Sequence, residues 1–213
     1  METRTRLLDT AGPLFAQHGF RDLGVKQICD SAGCNVAAVN YHFGSKQDFY
    51  AAVLEHAHRS AFAGDPMPTP ERGESPALQL ERWLGWWIRG MLHPDRPSWV
   101  QTLMTREMVD PTPALDQMVE RSIRPMYEAL TAMIRRLLPK GSKAATVRDC
   151  VHSVIGQVIF YKHAAPVLQR LGTAPEPTPR ALERLVAHVV AFSLAGVMAA
   201  GAATKRAQRR GTP

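Results

Sequence analysis

Along most of the 213 residues, apolar side chains recur every three or four positions, and Pro and Gly divide the periodic stretches. The first stretch, about Thr3 to His18, places Leu7, Leu8, Ala11, Leu14 and Phe15 on one helical face, with Gly19 as a C-terminal stop. Pro13 lacks a backbone donor and clashes one turn back, which predicts a kink or break near Gly12-Pro13. A second helix covers about Val25 to Ala32, and Gly33 supplies a tight turn. Asn35 caps a short third helix that ends near His42. Ser45, with Asp48 three residues on, begins a fourth helix that reaches about Ala63.

Residues 64–76, rich in Pro, Gly and charge, read as a linker or loose loop. Beyond it the pattern predicts helices at about 77–92, 98–109, 113–138, 144–172 and 179–203. Thr112 and Thr178, each followed by Pro, fit N-caps, and Pro125 and Pro166 should kink or split their helices. Strand signals are scarce. The expected architecture is all-α: a three-helix helix-turn-helix domain at 1–63, a linker at 64–76, a larger C-terminal helical domain at 77–203 and a basic tail at 204–213.

The stretch CNVAAVNYHFGSKQDFY, from residue 34, sets small residues before a cluster of polar and aromatic ones. In a helix-turn-helix the second helix enters the DNA major groove, with its N-terminal residues near base edges. Ile28, Ala32, Cys34 and Val39 would face a core of Leu14, Phe15 and Phe20. That leaves Val36, Ala37, Ala38, Asn40 and Tyr41 outward, and with the cap residue Asn35 they are candidate DNA contacts. The small side chains allow close approach, and Asn40 can pair bidentately with adenine. Tyr41 and His42 reach the backbone, where contacts fix register. Lys46 sits at a helix start, which favours a phosphate, and Lys26 lies across the groove. The pattern alone also fits a small helical core with incidental polar ends.

Composition adds limits. The net charge of +7 permits a polyanionic partner, but acids and bases balance over residues 1–60, so charge does not argue for DNA binding there. The tail from Lys205 reads as a disordered, solvated basic end. Cys29, Cys34 and Cys150 form neither a disulfide framework nor a zinc spacing; they read as core residues in a reducing compartment, with a thiol sensor as the alternative. The apolar run 185–203 approaches bilayer length, yet its Ala, Gly and Val, with His188 and Ser193, fit a buried helix better than a membrane anchor. No nucleophile elbow or phosphate loop occurs, and His56 and His58, two apart, point to different faces. An enzyme, a metal site and a cofactor are therefore not expected.

The segment GFRDLGVKQICDSAGCNVAAVNYHFGSKQDFYAAVLEHA resembles the DNA-binding domain of the TetR family of bacterial transcriptional regulators. TREMVDPTPALDQMVERSIRP and GQVIFYKHAAPVLQRL resemble the C-terminal region of its CecR-like branch. Gly24 stands where the family usually has Thr or Ser, and Asn40 where most members have Tyr. The resemblance implies a cytoplasmic homodimeric repressor on a palindromic operator of double-stranded DNA, released by a small hydrophobic or drug-like effector. A ligand-independent DNA-binding protein working with a protein partner is the alternative. It further implies an effector pocket in the C-terminal domain. Candidate lining residues are Trp83, Trp87, Met104, Met108, Met126, Tyr127, Leu130 and Phe160, bulky or flexible side chains that equally suit plain core. Glu107 would orient a cationic ligand, or else lie at the surface or pair with Arg106 or Arg121. Gln157 and His163 are ligand contacts or satisfied core groups. Ala191, Ala195, Gly196, Ala199 and Ala200 make a small-residue face that, with the 144–172 helix, would build a four-helix dimer interface.

Overall fold

The computed structural model describes residues 2–60, 62, 65–92 and 97–210, excepting the side chains of 205 and 207–210. Among these residues the regular structure is helical, without strands. The chain divides into two compact units: Met1–Ala63 with Asp95–Pro125, and Gly64–Pro94 with Met126–Pro213.

The first unit contains α1 (Thr3–Asp22), α2 (Val25–Ala32), α3 (Val36–Phe43) and α4 (Lys46–Ser60). It also contains α6 (Ser98–Val109), α7 (Ala114–Met118) and a π turn, Val119–Ile123. Leu7, Phe15, Ile28, Val39, Phe49 and Leu54 share one core with Val100, Leu103, Ala114 and Met118. The 98–118 segment therefore packs with the N-terminal helices, whereas the sequence suggested the C-terminal domain. Val100 and Leu103, three apart, share one face of α6, and that face enters the core.

Pro13 leaves α1 unbroken; the one non-helical residue within it is Gly19, at φ 82°. Each sequence-expected cap forms. Asn35 Oδ1 accepts from the Ala37 N–H at 2.9 Å, and Ser45 Oγ accepts from the Asp48 N–H at 3.0 Å. Thr112 Oγ1 accepts from the Ala114 N–H at 3.2 Å. These side chains satisfy donors that helix starts leave open.

The second unit contains α5 (Pro76–Leu92), α8 (Arg124–Leu137) from Met126 onward, α9 (Ala144–His163), α10 (Ala165–Arg170) and α11 (Pro179–Arg210). Pro166 divides α9 from α10, as its missing donor dictates. Ahead of Pro125 the helix widens into the π turn, which makes room for the ring. The stretch before α5 is tied down: Arg82 pairs with Glu71 and donates to the Thr69 carbonyl at 3.0 Å, and the Trp86 indole donates to the Asp65 carbonyl at 2.7 Å. Arg89 grips Glu183 bidentately, at 2.7 and 2.9 Å, linking α5 to α11. The expected disordered tail is helical through Arg210; residues 211–213 lie outside the described residues. One helical stretch, Pro179–Thr204, is long and apolar enough to cross a membrane, with a mean hydropathy of 2.0, and a third of its apolar window is buried.

Candidate nucleic-acid interface

Helix α2 ends in a left-handed glycine, Gly33 at φ 62°, and α3 starts three residues later, at Val36. The short turn leaves α3 with a single buried residue, Val39, at 1% exposure. Asn35, Val36, Ala37 and Asn40 are exposed, Ala38 is half-buried against the core, and Tyr41 is 85% exposed. A large aromatic so open to water, beside a row of small side chains, packs only edge-on against the neighbouring His42 ring and adds nothing to the core. His42 is half-buried between the rings of Tyr41 and Phe43, and Phe43 stacks on Phe49 at 4.5 Å between centroids. The aromatic ladder thus anchors the C-terminal end of α3 and leaves Val36, Ala37, Asn40 and Tyr41 facing water.

Lys26 is exposed on α2. Lys46, expected to point at a phosphate, instead lies over the Phe20 ring at 4.8 Å and donates to the Arg21 carbonyl at 3.3 Å. Its flexible stem keeps the charge beside the start of α4. At Gly24 the backbone N–H is taken by Gln27 Oε1 at 2.8 Å, so neither a side chain nor the amide there is free for a phosphate. Arg4, missed in the sequence, stacks over Phe43 at 5.3 Å and adds a cation beside the end of α3. No local pattern joins the start of α1 to the end of α3; only the folded core does.

The candidate effector residues divide between the units. Met104, Glu107 and Met108 are on α6, in the first unit. Leu103 beside them is fully buried, Met104 packs on the same core, and Met108 is 49% exposed. Glu107 is neither at the surface nor paired with Arg106 or Arg121. At 1% exposure its carboxylate accepts from the Tyr50 hydroxyl at 2.8 Å and from the Thr112 N–H and hydroxyl at 2.7 and 2.8 Å. Arg106 donates to the Gln17 carbonyl at 3.0 Å, and Arg121 faces Glu55 at 3.7 Å.

In the second unit, Trp83 and Trp87 are buried, with ring centroids 5.4 Å apart, and Leu130 is fully buried. Met126 is half-buried, and Phe160 is 53% exposed. Tyr127 meets His152 at 3.2 Å. Gln157 donates to Ser193 Oγ at 3.1 Å, joining α9 to α11 beside an open groove of about 450 Å³. His163 is exposed. Among the described residues, no group of three or more His, Cys, Asp or Glu side chains could hold a metal ion.

Residues 7–53 match the family of bacterial regulatory proteins named for TetR, and residues 76–197, more than half the chain, match the C-terminal domain of the HTH-type transcriptional dual regulator CecR. A CecR from Shigella flexneri is 25% identical over 175 residues, 76% of each chain. A transcriptional regulator from Rhodococcus sp. Rha1 superposes with a TM-score of 0.60 at 20% identity, covering 92% of this chain and 97% of that one. A TetR from Streptomyces coelicolor gives 0.57 at 15% identity, covering 92% and 98%. The matching families contain transcriptional regulators, not enzymes. The chain therefore belongs to the TetR family of DNA-binding transcriptional regulators, in the branch that carries a CecR-type C-terminal domain.

Proposed function

We propose that the protein is a homodimeric cytoplasmic repressor that binds a palindromic operator and is released by a small hydrophobic or drug-like effector. One observation carries the DNA reading: α3 buries only Val39 and holds Asn35, Val36, Ala37, Asn40 and Tyr41 to water. Asn40 presents the amide edge that adenine accepts, while Tyr41 and His42, with Lys26, Lys46 and Arg4, supply donors for phosphates.

Dimerisation is supported by α11. Ala191, Ala195, Gly196 and Ala199 are exposed, as are the large apolar Phe192 and Met198, at 62% and 67%. A second copy packing on α9 and α11 would cover them. Two recognition helices spaced about 34–36 Å apart then meet successive turns of duplex.

The effector reading has its own support. The indole N–H of Trp83 is buried and meets no acceptor among the described residues. A ligand offering an acceptor oxygen among the tryptophans would satisfy it. Such a ligand releases the operator only as far as it favours a conformer with another half-site spacing, with α4 carrying the change.

The test is a footprint on the DNA flanking the gene, followed by Asn40→Ala. The variant should weaken operator binding by about 1–3 kcal/mol and relax preference at one position per half-site. Equal binding of operator and scrambled DNA by variant and parent would remove α3 as the reader. A thermal-shift screen of hydrophobic compounds addresses the effector; the ligand-free alternative gains if none stabilises the protein.

A further inference from the structure

Helix α2 closes with two backbone hydrogen bonds. The Cys34 N–H donates to the Cys29 carbonyl at 3.0 Å, and the Gly33 N–H donates to the Asp30 carbonyl at 3.4 Å. With Gly33 left-handed, this is the paired helix ending in which the two residues flanking the loop bring their side chains together. Here those two residues are both cysteines. A backbone bond of 3.0 Å limits their Cα atoms to roughly 7 Å apart even at full reach, so the closure keeps them within the limit beyond which a disulfide cannot form.

The two sulfurs differ in access. Cys29 is 1% exposed, whereas Cys34 is only half-buried. Burial, and after it the adjoining Cys34 side chain, pushes the Cys29 thiol up to about 11. Cys34 is thus the sulfur that an oxidant from solvent reaches first, and Cys29 is placed to resolve it.

We propose that Cys29 and Cys34 form an oxidisable dithiol, a modification site for hydroperoxides, whose closure weakens the grip of α3 on DNA. The second half rests on the operator-binding reading above. The Cys34 thiolate attacks one peroxide oxygen; the O–O bond breaks, hydroxide leaves, and Cys34 becomes a sulfenic acid. Cys29 attacks that sulfur and gives up its proton as it does so; the S–S bond forms, the S–O bond breaks and a second hydroxide leaves. The two hydroxides take up the two thiol protons. Two thiols lose two electrons, and one hydrogen peroxide becomes two waters.

The sulfurs must then close to about 2.05 Å. Cys29 is fixed in the core, so Cys34 moves. It immediately precedes Asn35, whose side chain starts α3. Shifting that start displaces Val36, Ala37 and Asn40 from the base edges they would read.

The test uses the full chain with Cys150→Ser as background. After hydrogen peroxide, alkylation and digestion, the fragment carrying residues 29 and 34 should lose two hydrogens. DNA affinity of the same sample should fall about tenfold or more, the scale of a misplaced base contact, and return with dithiothreitol. Cys34→Ser, at a half-buried position, should fold, bind DNA as its parent does and keep its affinity under peroxide; Cys29→Ala should give the same protection. Oxidation of Cys34 to the sulfinic acid without a crosslink overturns the dithiol, whether or not DNA is bound. A crosslinked protein that binds as tightly as the reduced one overturns the coupling to α3. A reduced protein with no operator preference overturns the operator reading and the coupling with it, while the disulfide map still decides the dithiol.

Discussion

The carboxylate of Glu107 holds three donors, from Tyr50 and from the backbone and side chain of Thr112. Burial, and after it the hydrogen bond to Glu107, raises the Tyr50 phenol well above its ordinary range. A raised folded value means stability that is fully present below the unfolded tyrosine pKa and is lost as pH rises beyond it. Tyr50→Phe should therefore flatten the alkaline fall in stability above about pH 10, measured as urea midpoints of variant and parent. Glu107→Ala, which strands buried donors, should cost about 2–4 kcal/mol at neutral pH, and Glu107→Gln, which keeps one acceptor, less. In the sequence Glu107 offered only local partners, Arg106 and Arg121. Its partners are Thr112, five residues on, and Tyr50, 57 positions away, and no periodicity encodes the second pairing. The readable residues were those whose role is local: Asn35 and Ser45 cap the helices they begin, and Val39 faces inward by helical spacing.

Among the elements, α1 shows what spacing does and does not reveal. Its apolar face was legible, but Pro13 suggested a break that the helix lacks. Gly12 matters for another reason. A Cβ there would lie 2.5 Å from Cζ3 of Trp99, so the glycine lets α1 and α6 close together. Gly12→Ala must push aside a rigid ring packed on the core. The overpacking costs about 1–3 kcal/mol, against a gain of up to about 1 kcal/mol in helix propensity. The expected net result is a lowered denaturation midpoint, partly recovered in the double variant with Trp99→Leu. A midpoint unchanged or raised in Gly12→Ala would mean that the ring moves without cost. Pro125 and Pro166 behaved as their chemistry requires because a missing donor acts locally. The tie of Arg82 to residues 69–74 was invisible because a Pro-rich stretch reads the same whether loose or pinned.

For the whole molecule, the all-α class and the family were legible, because helical periodicity and the α3 motif survive without knowledge of packing. The proposed dimer can be tested at Ala195, which is exposed on α11. Ala195→Glu should leave helix content unchanged, since the site is open in one copy. In a dimer it buries an unpaired charge, at about 3–5 kcal/mol. Sedimentation should then report a single subunit, with operator affinity falling in parallel; a variant that sediments with its parent would move the interface elsewhere on the surface. The placement of α6 was not legible. Met104 and Met108 are grouped with Trp83 as candidate pocket lining, and only the fold shows that their neighbours Val100 and Leu103 complete the core beneath α1 and α4.

That shared core bears on modular engineering. A chimera cut after residue 63, the natural place to transplant the operator-reading head onto a foreign sensor, would leave behind Val100, Leu103, Ala114 and Met118. Residues 1–63 expressed alone should melt well below the parent and expose apolar surface to a fluorescent dye. A functional graft has to carry the 98–118 segment along, as a second insert, so this head is exchanged in two pieces.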